Sequence, residues 1–270
     1  MADVKETLVE LDKLAMRHLR VRRAGAVVTV AVNRPERRNA LHTAAHAELA
    51  AVFDAYAADR EARVLVLTGA GERAFCVGSD LKERARTGVD RMPATGFGGL
   101  TERFDLDKPV IAAVNGDAVG GGLELVLACD LAIAARHARF GLPEPRVGLA
   151  AHGGLHRLAR QVPLKQAMEI ALTGRLFSAE EALNYGLLNA VVDAADLTAE
   201  VKRWTSALLA GAPLALRATK QMMLRGLAHR SVEAAFAATY PAYETMLASD
   251  DAREGIQAFL DKRSPAWRGR

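Results

Sequence analysis

Residues 108–155 read KPVIAAVNGDAVGGGLELVLACDLAIAARHARFGLPEPRVGLAAHGGL, and this stretch decides the fold. Its first part, Val110–Val114, is a short apolar run bounded by Pro109 and by Asn115-Gly116, the pattern of a buried strand ending in a turn. Gly120, Gly121 and Gly122 follow, and then LELVLACD, which has helical spacing and no breaker. A strand that runs through a glycine turn into a helix leaves backbone N–H groups unpaired at the helix start. The helix dipole adds partial positive charge there. Such a place suits an anion, or an oxygen on which negative charge develops.

Two carboxylates lie in the same stretch. Glu124 sits in the first turn of the expected helix, among Gly, Leu, Val and Ala. Glu144 sits in FGLPEP, residues 140–145, where two prolines stiffen the backbone and forbid an α-helix. Taken alone, Glu124 reads as a solvated first-turn acid and Glu144 as an exposed loop acid. Together, beside free donors at a helix start, they point to acid–base chemistry next to an oxyanion site.

Composition sets the outer limits. The 270 residues fit one large domain, or one domain with an appendage, and with 50% of them hydrophobic they can bury a sizeable core. The net charge of +4 is mild, and the chain lacks the long runs of like charge that mark a nucleic-acid arm, so no nucleic acid is expected. An anionic small ligand is an adequate partner for that charge. Cys76 and Cys129 form no CxxC pair and the histidines show no HExxH spacing, so neither a disulfide framework nor a metal site is expected. The N-terminal region carries Asp3, Glu6, Glu10 and Asp12 without a long apolar run, and no stretch reaches the roughly 18 apolar residues of a membrane span. The expected location is therefore the cytoplasm, away from membranes.

In chain order, residues 4–17 place Leu8, Leu11 and Leu14 on one side of an amphipathic helix. Residues 26–32, AVVTVAV, are a strand signal, the turn NRPERRNA ends it, and 41–58 reads as a helix. Arg34, Arg37 and Arg38 cluster at that turn, either as a solvated turn or as guanidinium forks for phosphate. Residues 63–67 form the next strand. Phe75-Cys76-Val77 is apolar, Gly78 breaks it, and Ser79-Asp80-Leu81-Lys82 reads as a turn feeding a helix. This is a second glycine bend that exposes donors at a strand end. Ser79 as a nucleophile lacks both a GxSxG setting and a nearby histidine. Residues 86–100 are rich in glycine and read as a mobile loop, a lid or wall over a pocket. Short helices are expected over 155–160 and 164–173, a capping box opens another at Ser178, and a last strand covers 187–192. Beyond residue 193 only helices are expected, over about 197–210, 213–228, 231–249 and 251–262. A dinucleotide-binding reading of VNGDAVGGG fails because GxGxxG is absent.

The chain resembles the enoyl-CoA hydratase (crotonase) family over residues 18–263. NRPERRNAL at 33–41, AFCVGSDLKE at 74–83, and KPVIAAVNGDAVGGGLELVLACD at 108–130 continued by FGLPEPRVGL carry the resemblance. It implies an α/β superhelix of repeated ββα units over 18–192, after an N-terminal extension at 1–17. It also implies a C-terminal helical region over 193–270 that makes trimers, commonly paired into hexamers. The implied substrate is an acyl-CoA thioester, with coenzyme A entering as part of the substrate and no separate cofactor.

Carried over residue by residue, the family's oxyanion donors fall on the backbone N–H of Ser79 and of Gly121, and its catalytic glutamates on Glu124 and Glu144. Positions implied to touch substrate or coenzyme A are Arg38, Ala40, Val77, Asp80, Leu81, Lys82 and Gly120. Keeping both glutamates favours hydration of a 2-enoyl-CoA or its reverse. A Δ3,Δ2-enoyl-CoA isomerase, another acyl-CoA dehydratase or lyase, and a non-catalytic thioester- or RNA-binding member are the alternatives. Two departures stand out. Asp117 adds a third carboxylate near the site, either touching the acyl chain or facing solvent. The loop after Glu144 is a residue shorter than usual and holds His152, which is either solvated or against substrate.

Overall fold

The apolar runs are strands buried on both faces, as parallel strands between layers must be. In the computed structural model, which describes residues 16–88 and 91–270, they form two sheets. In the larger, β1 (Leu19–Ala24) and β2 (Val27–Val32) make an antiparallel hairpin, and β3 (Val64–Gly69), β5 (Val110–Val114), β7 (Leu131–Ala135) and β10 (Ala190–Val192) continue from β2 in parallel. The smaller holds β4 (Ala74–Cys76), β6 (Asp117–Val119), β8 (Arg139–Gly141) and β9 (Phe177–Ser178), antiparallel at its β8–β9 end.

Each of β3, β5 and β7 is followed by a short strand of the other sheet and then by a helix: α2 (Leu81–Thr87), α3 (Gly121–Ala128) and α4 (Leu155–Gln161). This is the repeated ββα order. α1 (Thr43–Ala58) crosses from β2 to β3. Lys108 caps its C-terminal end, donating to the carbonyls of Tyr56, Asp59 and Ala62. α5 (Leu164–Thr173) matches its expected span, and Ser178 and Glu181 form the expected capping box at the start of α6 (Ala179–Asn184).

Alternation along the strands divides the interior. Leu65, Leu67, Val110, Ala112, Val114, Ala132 and Ala134 face the main core with α1 and α3. Their neighbours Val64, Val66, Ile111, Ala113, Ile133 and Ala135 face the other way, against Leu197 and Val201 of α7 (Leu197–Leu209). The sheet is therefore sandwiched, and α7 covers its outer side.

The structure departs from the sequence reading in several places. The helix expected over 4–17 falls outside the described residues except for Met16 and Arg17, which lead into β1. The chain does not pass directly from β5 through a glycine turn into α3, because β6 lies between them in the second sheet. Three residues are too few to show a strand period, and their pairing becomes visible only when β4 and β8 flank them. The helix expected over 231–249 is two, α9 (Val232–Ala237) and α10 (Pro241–Leu247), after α8 (Pro213–Gly226) and before α11 (Asp250–Leu260). Pro241 forces the residue before it out of helical backbone, and Tyr240 is extended at φ −121°, ψ 99°. The strand expected over 187–192 shortens to β10.

The tightest packing is where α3 meets β4. A Cβ on Gly122 would overlap the Cys76 carbonyl oxygen, a backbone atom that cannot step aside. Gly122→Ala is expected to lower stability by at least about 3 kcal/mol, read as a fall in urea midpoint at constant m-value. Gly226→Ala, on helical backbone where a Cβ would meet only the Tyr240 hydroxyl at 3.9 Å, serves as the comparison.

Candidate active site

Two loops bring backbone donors together. Gly78, at φ 91°, turns the chain out of β4 toward α2, and Gly120, at φ 58°, turns it out of β6 into α3. Only glycine holds such angles without strain. A Cβ on Gly78 would stand 3.1 Å from the Gly121 nitrogen, so the two bends touch. Leu41 pins the first bend by accepting from Asp80 N–H (2.7 Å) and donating to the Gly78 carbonyl (2.8 Å). Gly120 N–H is spent on the Gly141 carbonyl at 2.8 Å. Within the described residues, no backbone acceptor takes the N–H of Ser79 or of Gly121.

The two glutamates frame these amides. Glu124 is buried in the first turn of α3 at 6% exposure. Glu144 is half-buried and opens a single 3-10 turn, Glu144–Val147, between Pro143 and Gly148. Arg146 ties that turn to the end of α5 through the Thr173 carbonyl. A Cβ on Gly120 would lie 2.9 Å from Glu144 Oε1, so this carboxylate reaches the glycine turn itself. Within the described residues, Glu124 Oε1 and Glu144 Oε2 are buried without a hydrogen-bond partner.

Burial and mutual repulsion set their proton affinity. Burial, then the neighbouring Glu144, pushes the Glu124 carboxyl up to about 7, against the pull of the Gly154 and Gly153 amides and of Arg157. Burial also raises Glu144, with its own amide opposing. Two raised acids this close titrate as a coupled pair, one able to give a proton while the other accepts.

The remaining expected residues divide. Arg34 bonds the Ala40 carbonyl and Asp80 Oδ2 (2.9 Å), so it fastens the bends together and is not free for phosphate. Burial opposes, but Arg34 and the Glu83 amide together hold the Asp80 carboxyl below its ordinary value. Asp80 thus caps α2. Leu81 and Lys82 lie exposed on the first turn of α2, Val77 is half-buried, and Ala40 is buried. Arg37 and Arg38 are exposed at the preceding turn. Asp117 neither faces solvent nor touches the site: it is 8% exposed and holds Arg139 through both carboxylate oxygens at 3.0 and 2.7 Å. Its place on β6 turns it toward β8. His152 is exposed, 3.9 Å from Glu102. The glycine-rich segment is a wall where it meets α3. Phe97 is buried edge-on to His46, and a Cβ on Gly121 would run into its ring.

Sequence reasoning missed Phe97, Thr101 and the Gly153-Gly154 pair. A Cβ on Gly154 would stand 2.9 Å from Glu124 Cγ, and one on Gly153 3.3 Å from Glu124 Oε2. Two adjacent glycines just before α4 were the available signal. Among the described residues no group of His, Cys, Asp and Glu is placed to hold a metal ion, and no helix is long and apolar enough to cross a membrane.

Residues 22–270 match the enoyl-CoA hydratase/isomerase family. The chain belongs to that family. Among curated relatives, carnitinyl-CoA dehydratase of Proteus mirabilis is 41% identical over 260 residues, covering 94% of this chain and 98% of that protein. Carnitinyl-CoA dehydratase of Salmonella typhi is 40% identical, covering 93% and 98%. The crystal structure of enoyl-CoA hydratase from Mycobacterium tuberculosis superposes with a TM-score of 0.88 at 37% identity, covering 94% and 99%. This crotonase-family acyl-CoA hydratase/dehydratase has the mixed α/β fold of those structures, with helices at its C-terminal end.

A carboxyl held protonated in the fold destabilises it once ionised. Glu124 has a raised folded value, so its contribution to stability is whole below its unfolded value and fades as pH rises through about 7. Glu124→Gln is expected to stabilise the enzyme at pH 8 by about 3 kcal/mol, and to bring little at pH 4. Thermal unfolding at the two pH values checks this.

Proposed function

We propose that this enzyme adds water reversibly across the 2,3 double bond of a 2-enoyl-CoA thioester. The observation that carries the reading is the convergence of two elevated carboxyls on a glycine bend whose neighbouring amides, of Ser79 and Gly121, lack backbone acceptors. When water attacks C3 of a conjugated thioester, charge moves to the carbonyl oxygen as an enolate. The N–H groups of Ser79 and Gly121 would receive that oxygen. Removal of one such donor costs roughly 3–4 kcal/mol in comparable sites. Glu124 as carboxylate would take a proton from the attacking water, and Glu144 in its protonated form would deliver one to C2. In the reverse direction the same groups exchange tasks, which removes water from a 3-hydroxyacyl-CoA.

A second reading concerns the acyl group. The relatives named carnitinyl-CoA dehydratase, at 40–41% identity over nearly the whole chain, support dehydration of a carnitinyl thioester by the same atoms. The exposed turn at Leu81, Lys82, Arg37 and Arg38 supports a place for coenzyme A beside the Ser79 bend. Exposed Leu227, Phe236 and Phe259 of the C-terminal region support its meeting other copies in a trimer or a pair of trimers.

Assay against crotonyl-CoA and carnitinyl-CoA, following the enoyl-thioester absorbance, decides the substrate. Glu124→Gln and Glu144→Gln are each expected to lower kcat by about 10²–10⁴ with the fold intact. Near wild-type rates in either would remove that residue from the mechanism. Sedimentation equilibrium is expected to give three or six chains, and a monomer would contradict the assembly.

A further inference from the structure

The reaction proposed above leaves unexplained how the glycine amides beside Glu124 are held. Gly153 and Gly154 have no side chains to anchor them, and their loop leaves the 3-10 turn of Glu144 through exposed residues 145–150. Their backbone nonetheless packs against a buried carboxylate, a Cβ on Gly153 standing 3.3 Å from Glu124 Oε2 and one on Gly154 2.9 Å from its Cγ. Main-chain bonds hold the loop to itself, the Gly154 N–H donating to the Ala151 carbonyl at 3.0 Å, and a tie to the facing wall has to come from a side chain.

Arg157, one turn into α4, is half-buried and meets that need. Its Nη1 donates to the Gly153 carbonyl at 3.2 Å and to the Thr101 carbonyl. Thr101 belongs to the buried wall that begins at Phe97, and its hydroxyl would lie 3.0 Å from a Cβ on Gly153. One guanidinium therefore joins the wall and the glycine loop, the two segments that enclose Glu124. Phe104 lies 5.6 Å from that guanidinium and covers it.

We propose that Arg157 is a positioning residue for the reaction of the preceding subsection: by holding the Thr101 and Gly153 carbonyls it fixes the glycine backbone that packs against Glu124. Its hydrogen bonds go to main-chain carbonyls, and its charge adds a pull on the Glu124 carboxyl from a distance. A lysine keeps the charge but presents a point donor that does not reproduce the planar fork. The groups facing Glu124 are Glu144 from the 3-10 turn, Cys76 from β4, Arg157 from α4 and the two glycine amides. Burial pushes the Cys76 thiol up to about 12, so it stays neutral through the useful pH range. Those facing Arg157 are Cys129, Glu102 and Glu124. Of these groups it is Glu124 that burial and Glu144 raise to about 7.

The test is a carbon-13 NMR titration of glutamate-labelled enzyme, with the Glu124 carboxyl identified by its loss in Glu124→Gln. Wild type is expected to titrate near 7. Misplaced amides stabilise the carboxylate less, so the midpoint moves upward in Arg157→Lys, and further in Arg157→Gln, where the charge is lost too. In hydration assays kcat at pH 7 is expected to fall by roughly tenfold, a fraction of what a placed proton-transfer group supplies. KM should stay within about twofold, since binding contacts are untouched, and kcat should recover as pH is raised. A wild-type midpoint in Arg157→Lys overturns the proposal, as does a loss of kcat with an unchanged pH profile. If Arg157→Gln does not fold, the lysine variant alone decides. The titration needs no substrate, so failure of wild type to hydrate any enoyl thioester would refute the proposed function while still leaving Arg157 to be judged.

Discussion

The seam between the two sheets admits no side chain at the start of α3, and the chemistry of this protein is built around that restriction. Gly122 lies against the Cys76 carbonyl, Gly121 against the Phe97 ring and Gly120 against the Glu144 carboxylate. Each contact brings a different segment to one turn of helix. Because β4 and β6 are neighbours in the second sheet, the loops that leave them meet at their ends, and the Gly121 nitrogen comes to lie against Gly78, the residue before Ser79. Close approach of backbone to backbone is what lets donors from residues forty positions apart serve one oxygen.

The same packing governs the electrostatics. Burying Glu124 among Gly, Leu and Val removes water from it, and placing Glu144 nearby adds repulsion, so the carboxyl rises toward neutral pH. The glycine amides and Arg157 pull in the opposite direction. The site is thus a balance of opposing influences in which no single one fixes the proton. Such a balance costs stability and keeps the carboxyl poised near neutral pH, where the proposed proton transfer would need it.

Much of this was legible in the sequence because it was local. The run Val110–Val114, the glycines after it and the lone acid in an apolar helix announce a strand, a bend and a buried carboxylate within a short span. Ser178 and Glu181 spelled out a helix cap whose geometry the structure reproduces. What escaped depends on contacts between distant segments. Asp117 looked like a third acid of the site until β8 supplied Arg139 beside it. Residues 86–100 read as a mobile loop, a lid or wall, because glycine marks flexibility in sequence. Here the glycines permit burial: a Cβ on Gly99 would strike Ala50 of α1, and one on Gly98 would strike Leu125 of α3. Arg34 reads as either a solvated turn residue or a phosphate ligand because its carboxylate partner, Asp80, lies 46 residues away.

One further consequence comes from the proposed oxyanion donors being main-chain atoms. A donor carried by the peptide group is present whatever side chain stands there, unless proline replaces it. Drift at position 79 can therefore alter the lining of the mouth while the enolate is still gripped, whereas positions 120 to 122 are frozen by crowding. Novelty in acyl preference has an open route through the first bend and a closed one through the second, so descendants of this chain would diverge on one side of the thioester before the other.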